Sequence, residues 1–460
     1  RQNFGPGRRK TDIRLLYSKY PLPGGLVAVN EYQALFREAI ALRNRIVAQD
    51  YAIAHNISVK QMQNTRELQA LQLSTDKNSR LPDLNGSAAQ NFSFGRGLTA
   101  QNTYENKSTS STSFTIGSTV SLFDGFRTRN TIKLSQLNLD AADADLDKAR
   151  NDLSMNVAKV YIEVLNAAEA MTVAQRQVSI DSMQVVRMQG FVGNGKASVA
   201  QLAQQKATMA QSQLTVTTAA NNYQMALLSL SQLLELPSPE GFSIVRPDIE
   251  RITPAPGNIA SPEAIFAEAM AVKPEVRAQQ TRVEGADYNI QIAKAARYPQ
   301  LNLNGGLGSK YYKTSGYEAD GFAKQLKNNF NQYVGLSLSI PIFNRFATRN
   351  NIRRSEINRD TERLKLDDVR KSLYKEIQQV YYNARAAESK YASSREAVAS
   401  NEEAFKLTQA KYENAKASIT EFNEAKNNLL RAQSEQIQAR YEYLYQTSLL
   451  NFYSGKTLDF

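Results

Sequence analysis

Apolar and polar residues alternate with a period of two in four stretches of the chain. In one of these stretches Phe114, Ile116 and Val120 share a face, while small polar residues such as Thr115 and Thr119 occupy the other. Alternation of this kind is typical of a β-strand with one apolar and one polar face. The pattern therefore predicts strands over residues 85–96, 113–123, 300–311 and 332–343. The links 97–112 and 311–331 are predicted to be long polar loops.

Long intervals without helix breakers separate these strands. Proline is absent between Pro82 and Pro237 and after Pro341. Glycine occurs only at 190, 193 and 195 between Arg127 and Leu236, and only at 455 after Phe343. Because proline and glycine break helix interiors, these intervals predict unusually long helices. The helix over 128–191 alone would measure on the order of 96 Å, at about 1.5 Å per residue. The helices predicted from residue 51 onward are 52–80, 128–191, 199–236, 261–297, 348–413 and 419–452.

The strand-to-helix pattern occurs twice, and matching residues stand 220 positions apart. Phe123 matches Phe343, and Arg129 matches Arg349. The predicted domains are an N-terminal extension over 1–50, a first repeat over 51–236 and a second repeat over 263–452. Each repeat ends in a long helical hairpin, 128–236 in the first and 348–452 in the second. An irregular segment over 237–262 separates the repeats, and a short tail covers 453–460.

The strands have the length and the two-faced pattern of a membrane barrel with a wet interior. Roughly 9–11 residues suffice for a tilted strand to cross a bilayer. Four strands cannot close a barrel, since about eight are the minimum, and an open sheet in lipid would leave the backbone groups of its edges unsatisfied. We therefore expect several chains to share one barrel. Three chains would supply twelve strands.

Composition narrows the possible functions. The chain has no cysteine and His55 is its only histidine, which excludes thiolate chemistry and nearly excludes histidine-based metal or triad sites. No constellation of nucleophile, base or metal ligands is visible, so we expect no enzyme activity, no cofactor and no metal. The formal charge is +12, but lysine and arginine are interspersed with acids along the helices, so a nucleic-acid partner is not expected. No apolar segment follows Arg1, and we expect any signal peptide to have been removed already.

The duplicated motifs resemble those of the TolC outer-membrane efflux protein family. They are the strand entries Pro82-Asp-Leu-Asn85 and Pro299-Gln-Leu-Asn302, the joint Leu122-Phe-Asp-Gly-Phe126, and the turn Phe191-Val-Gly-Asn-Gly-Lys-Ala-Ser-Val199. The resemblance covers about 51–460. It implies a mainly α chain whose four strands join those of two further chains in a trimeric twelve-stranded membrane β-barrel. That barrel would continue into a twelve-helix periplasmic α-barrel, with 237–262 and 453–460 at its equator.

The resemblance also implies a function and partners. The chain would be a passive exit duct in the bacterial outer membrane, conducting small molecules or polypeptides from the periplasmic tunnel to the exterior. It would work as a homotrimer in outer-membrane lipid, within a tripartite efflux pump or a type I secretion system. A periplasmic adaptor (membrane fusion) protein would link it to an inner-membrane transporter. A soluble coiled-coil structural or filament protein is the alternative, which accounts for the long helices but not for four alternating strands.

Glu421 and Glu424 lie three residues apart, hence on one helix face, just after the second hairpin turn. The family carries acidic residues at matching positions, where they line the closed periplasmic entrance. The resemblance therefore implies a cation-favouring acidic gate that opens when the second hairpin moves. An ordinary solvated helix face is the alternative. The first repeat has Gln201 and Gln204 at these positions.

The resemblance implies that the two hairpin turns contact the adaptor, although plain serine-capped turns are the alternative. The turn residues are Val192, Gly193, Asn194, Gly195, Lys196, Ala197 and Ser198, and Asn414, Ala415, Lys416, Ala417 and Ser418. Residues near strand ends are predicted to anchor the chain at the membrane interface: Arg129, Arg349, Tyr311, Tyr312 and Tyr333. The arginines could instead cap local carbonyls, and some of the tyrosines could be ordinary loop residues.

Overall fold

The computed structural model describes residues 45–98, 102–236, 242–245, 257, 259–414, 416–456 and 458. Most of the predicted N-terminal extension, of the segment 237–262 and of the tail's last four residues lies outside the described residues. The elements in chain order are α1 (Arg45–His55), α2 (Ile57–Asn78), β1 (Asn85–Leu98), β2 (Tyr104–Phe123), α3 (Arg127–Gly193), α4 (Val199–Leu233), α5 (Pro262–Val272), α6 (Pro274–Ala295), β3 (Gln300–Thr314), α7 (Phe322–Asn328), β4 (Asn331–Ser339), α8 (Ala347–Glu413) and α9 (Ile419–Tyr453).

The hairpin helices have identical lengths in the two repeats. Helices α3 and α8 each contain 67 residues, and α4 and α9 each contain 35. Val192 and Gly193, predicted as turn residues, form the end of α3. Helix α4 ends at Leu233, three residues before the predicted end. No described helix carries an apolar stretch long enough to cross a bilayer.

The predictions of single helices over 52–80 and 261–297 are wrong, because each interval contains two helices. The breaks fall at Asn56 and Lys273. These residues are equivalent in the two repeats, because they have the same separation in sequence as the strand entries Pro82 and Pro299. At the second break Pro274 is the first helical residue of α6, and proline lacks the N–H that would continue the preceding helix. At the first break the N–H of Ile57 donates to the Glu235 carboxylate at 3.2 Å.

The four strands form one antiparallel sheet in the order β1-β2-β3-β4. The predicted loop over 97–112 is wrong, since β1 runs to Leu98 and β2 begins at Tyr104. The serine- and threonine-rich start of β2 pairs with β1, and the residue pairs run from Tyr104 and Leu98 to Gly117 and Asn85. Backbone groups make this ladder, so polar side chains do not interrupt it, and threonine favours strands.

Two further strand predictions need correction. Strand β4 ends at Ser339 rather than at 343, because Pro341 cannot donate a ladder hydrogen bond. The predicted loop 311–331 begins with the end of β3 and contains helix α7. The buried Gln325 holds α7 against β3: its amide nitrogen donates to the Tyr312 carbonyl at 3.0 Å, and its amide oxygen accepts from the Tyr312 N–H at 3.1 Å.

The strand register collects apolar side chains on one face of the sheet. Paired residues share a face, and the pairs on this face include Val120 with Leu303 and Leu303 with Leu336. The opposite face is polar, with Ser87 hydrogen-bonded to Thr115 at 2.7 Å. On β4 every residue is exposed, including apolar Leu336 and Leu338. Phe322 of α7 contacts Phe114 and Tyr311 on this apolar face, whereas the exposed apolar residues of β4 have no covering layer within the described chain.

The chain divides into two compact units that do not coincide with the two repeats. One unit comprises Arg1–Ile57, Arg150–Ile265 and Gln378–Phe460, and the other comprises Ser58–Ala149 and Phe266–Ile377. In the first unit the fully buried side chains include Leu165, Leu230 and Tyr443, and in the second they include Val59 and Ile377.

Candidate functional site

The two hairpin turns close with the same backbone hydrogen bonds. In the first turn the Lys196 N–H donates to the Phe191 carbonyl at 2.8 Å, and in the second the Lys416 N–H donates to the Lys411 carbonyl at 2.8 Å. A hydrogen bond between residues five positions apart satisfies a carbonyl at the helix end that has no partner within the helix. Gly195 takes a left-handed φ of +69°, which glycine adopts without steric cost. Ala415, at the matching position, lies outside the described residues.

Each return helix starts with a capping box. Ser198 caps α4 with Gln201 as its partner, and Ser418 caps α9 with Glu421 as its partner. In both boxes the serine hydroxyl accepts from the partner's backbone N–H at 3.2 Å. The partner side chain accepts in turn from the serine N–H. The backbones match, but only the second cap contains a charge.

The structure gives Glu421 a definite local role. Its carboxylate accepts from the Ser418 N–H at 2.6 Å and from the Ser418 hydroxyl at 2.9 Å. These hydrogen bonds lower the pKa of Glu421 below its ordinary value. Glu424 lies one turn further on, and its side chain is also exposed. Both acids are thus available to solvent, but only Glu421 has its carboxylate held in place by a cap.

An aromatic stack supports the second turn. The buried ring of Phe422 lies 5.0 Å from the ring of Tyr412 and 5.5 Å from that of Phe405, measured between centroids. Arg187 of α3 lies over the Tyr412 ring at 6.0 Å and makes an ion pair with Glu413 at 3.7 Å. Burial raises the pKa of Tyr412. The residues that distinguish this turn from the first one, Tyr412 and Glu413, therefore hold it against α3.

A buried ion pair lies behind the turns. Lys426 of α9 donates to Asp181 of α3 at 2.5 Å, and the side chains are 3% and 0% exposed. Ser212 of α4 donates to the same carboxylate at 2.5 Å, and Gln177 donates to it at 3.1 Å. One carboxylate thus joins three helices. A sequence pattern does not reveal this cluster, because Asp181 and Lys426 stand 245 residues apart.

A second polar contact joins the same two helices further from the turns. Arg440 and Tyr441 of α9 both donate to the Glu169 carboxylate of α3, the tyrosine hydroxyl at 2.8 Å. Burial strongly raises the pKa of Tyr441, and the neighbouring carboxylate adds to this effect. Tyr441 therefore stays neutral and donates at neutral pH. With the Asp181–Lys426 pair, this contact fixes α9 along α3 at two levels.

The strand-to-helix joints show a shared backbone strain. Gly125 and Phe126 both have φ of +68°, and Arg345 and Phe346 have φ of +55° and +63°. A left-handed residue other than glycine costs roughly 1–2 kcal/mol. The first joint places glycine where the second places arginine. A Cβ on Gly125 would stand 2.7 Å from the Ala295 carbonyl oxygen, so the first joint has no room for a side chain.

The predicted membrane anchors fall in different environments. Arg129 and Arg349 lie near the starts of α3 and α8, and both side chains are exposed. The register puts Tyr311 on the apolar face of the sheet, paired with Thr112. Tyr312 follows on the polar face, and Tyr333 joins it there through its pairing with Gly306. The structure thus separates the three tyrosines onto two faces.

The described residues contain no group of three or more acidic or histidine side chains that could hold a metal ion. Their chemistry is instead that of a two-faced sheet joined to long helical hairpins with capped turns. This combination is typical of a membrane channel. The family model for "Outer membrane efflux protein" matches residues 49–235 and 266–456. The chain belongs to this family.

Similar proteins agree with this assignment. "Toxin and drug export protein A" of Aggregatibacter actinomycetemcomitans is 22% identical over 346 residues, covering 72% of this chain and 71% of that protein. "Outer membrane protein TolC" of Escherichia coli K12 is 23% identical over 358 residues, covering 76% and 71%. The solved structure of the outer membrane protein VceC from Vibrio cholerae superposes with a TM-score of 0.72 at 17% identity, covering 90% of this chain and 97% of that one.

The predicted family, TolC-like fold and outer-membrane location are therefore confirmed. The chain is an outer-membrane export channel protein, mainly α-helical with one four-stranded sheet. The roles predicted for Glu421, Glu424, the turn residues and the anchors stay predictions.

Proposed function

We propose that three copies of this chain form a passive exit duct with no enzymatic activity and no cofactor. Their sheets close into a twelve-stranded barrel in outer-membrane lipid, and their helical hairpins form a periplasmic tunnel. A periplasmic adaptor protein meets the hairpin turns and connects the duct to an inner-membrane transporter. Small molecules or polypeptides pass through it to the exterior.

The two-faced sheet, whose apolar face is largely exposed, carries this proposal. Strands β1 and β4 are its edges, and within the described chain neither edge has a second neighbour. An edge in lipid must be paired, because unsatisfied backbone groups cost several kcal/mol each. Joining β4 of one copy to β1 of the next satisfies both edges. The apolar face then contacts lipid and the Ser87–Thr115 face lines water.

The hairpin turns suit contact with a partner protein. Their serine caps and backbone bonds fix their shape, while Asn194, Lys196, Asn414 and Lys416 remain exposed. A preformed, exposed turn loses little entropy on binding. Glu421 and Glu424 would lie near the three-fold axis in the trimer, where six carboxylates would favour cations over anions.

Purification in a mild detergent tests the assembly. We expect a particle of three chains with a central channel, which mass measurement and imaging would both detect. A monomer that stays soluble without detergent would instead support the alternative, a coiled-coil structural protein, and would reject the duct.

Single-channel recording tests the acidic gate. The Glu421→Gln/Glu424→Gln variant should conduct more, or lose block by divalent cations, because it removes mutual repulsion and cation binding at the entrance. Glu435→Gln, which neutralises an exposed acid further along α9, is the matched control and should behave like the parent. Equal conductance and block in all three proteins would remove both glutamates from the gate.

A further inference from the structure

A cavity of about 310 Å³ lies between the start of α3 and α6, inside one compact unit. Its lining combines two cations, two aromatic rings and two amides: Arg129, Lys133, Phe126, Tyr288, Asn130 and Gln291. The cavity is open on one side. It lies within two turns of the point where β2 ends and α3 begins.

The two cations converge because they are four residues apart on α3, which places them on the same helix face. Neither Arg129 nor Lys133 makes an ion pair with any acid of the described chain, whereas Arg277, Arg282 and Arg359 of the same unit each pair with an aspartate. Two unneutralised cations at one opening repel each other unless an anion joins them. The arrangement therefore favours an anionic ligand.

The remaining lining residues narrow the chemistry of that anion. The amides of Asn130 and Gln291 and the hydroxyl of Tyr288 can donate hydrogen bonds to several oxygens of one group. Arginine binds phosphate through two parallel N–H donors, and lysine adds a point charge. The exposed ring of Phe126 offers an apolar surface beside them. We propose that this cavity binds a phosphate group, carried either by an anionic lipid headgroup or by a free phosphate ion.

Position favours the lipid as the source of this phosphate. The cavity follows directly on a strand whose apolar face meets lipid in the proposed duct, and headgroups lie at that level. This choice of source rests on the proposed function, whereas the anion chemistry of the cavity does not. A phosphate held here would join α3 to α6 just below the sheet.

Calorimetric titration of the purified protein in a non-ionic detergent tests the site. The probes are inorganic phosphate, dihexanoylphosphatidylglycerol and dihexanoylphosphatidylcholine. We expect the anionic lipid to bind at least about tenfold more tightly than the zwitterionic one, and Arg129→Gln/Lys133→Gln to weaken it by at least about tenfold, as loss of one charge-assisted hydrogen bond predicts. Added salt should weaken binding to the parent.

The control variant is Lys375→Gln/Arg395→Gln, which removes two exposed cations from α8 and should leave the affinity unchanged. Tighter binding of the anionic lipid than of inorganic phosphate supports the lipid source, and equal binding of the two supports free phosphate. No binding of either anion, or equal affinity for the bound anion in both variants, overturns the site, and equal binding of both lipids overturns the lipid source. A three-chain particle in every variant would show that such a failure leaves the proposed duct intact.

Discussion

The two hairpin turns have nearly the same backbone but different side-chain support. Both close with a bond between residues five apart, and both start the return helix with a serine capping box. The aromatic stack at the second turn is replaced at the first by aliphatic residues. The three aromatic positions Phe405, Tyr412 and Phe422 correspond to Val185, Val192 and Leu202. Duplication has thus kept the backbone while the packing around it diverged.

The two repeats differ more in their buried charges than in their packing. Lys426 is 3% exposed and paired with Asp181, whereas Lys206, its first-repeat equivalent, is exposed. The position equivalent to Asp181 holds Asn401, whose amide donates to its own helix at Ala397. The ion pair therefore has no counterpart at the equivalent positions of the other repeat, both of which the structure describes. It fixes the second return helix to the first hairpin, so the two hairpins are not mechanically equivalent.

Removing Lys426 should give the largest effect. Lys426→Met leaves the Asp181 carboxylate buried without its cation, and breaking a buried pair typically costs about 3–5 kcal/mol. Denaturant unfolding of the detergent-solubilised protein, followed by circular dichroism, would measure the loss.

Two variants sharpen that result. Lys206→Met makes the same substitution at the exposed first-repeat equivalent of Lys426, and it should alter stability by less than about 0.5 kcal/mol. Asp181→Leu/Lys426→Met removes both charges and should recover most of the loss, because the cost arises from the unpaired ion. Equal stability of Lys426→Met and Lys206→Met would show that the buried pair contributes nothing.

Substitutions at the two strand-to-helix joints should change the stability of the protein in opposite directions. Gly125→Ala adds a Cβ that meets the Ala295 carbonyl oxygen at a left-handed residue, and we expect a loss of roughly 2–3 kcal/mol. Arg345→Gly relieves a positive φ at the equivalent position and should gain about 0.5–1 kcal/mol. Thermal unfolding of the two variants measures both changes. A loss of stability in Arg345→Gly would show that its side chain makes contacts that outweigh the strain.

Sequence patterns predicted the parts of this fold that depend on local periodicity. Long intervals without proline located α3 and α8 to within two residues, and alternation located all four strands. The extension of β2 back to Tyr104 was not predicted, because its serine- and threonine-rich sequence shows no alternation of apolar and polar residues. Both helix breaks escaped prediction: the one at Asn56 involves no proline, and the helix predicted over 261–297 ran through Pro274 although proline marks that break.

The site was less predictable than the fold because its contacts are non-local. The capping boxes follow from Ser198 and Ser418 with their third neighbours, a spacing visible in the sequence. The Asp181–Lys426 pair depends on which faces of three helices meet. The faces of Tyr312 and Tyr333 depend on strand register, which a shift of one residue would invert.

The smallest expected effect comes from the charge of Glu421 in the capping box of the second turn. The folded-state pKa of Glu421 is lowered by hydrogen bonds from Ser418, so its stabilising contribution is present above the unfolded pKa and is lost as the pH falls through the folded pKa. Gln201 holds the same place in the first cap and does not titrate. Acidification should therefore loosen the start of α9 and leave the start of α4 unchanged.

Hydrogen exchange at the first turns of α9 and α4 would measure this difference, after correction for the intrinsic pH dependence of exchange. Between about pH 6 and about pH 3.5 we expect protection to fall at α9 alone. Glu421→Gln gives the second cap the chemistry of the first and should make the two helix starts behave alike. An unchanged loss of protection at α9 in that variant would place the titrating group elsewhere, and Glu424, one turn further along the same face, would be the next residue to replace.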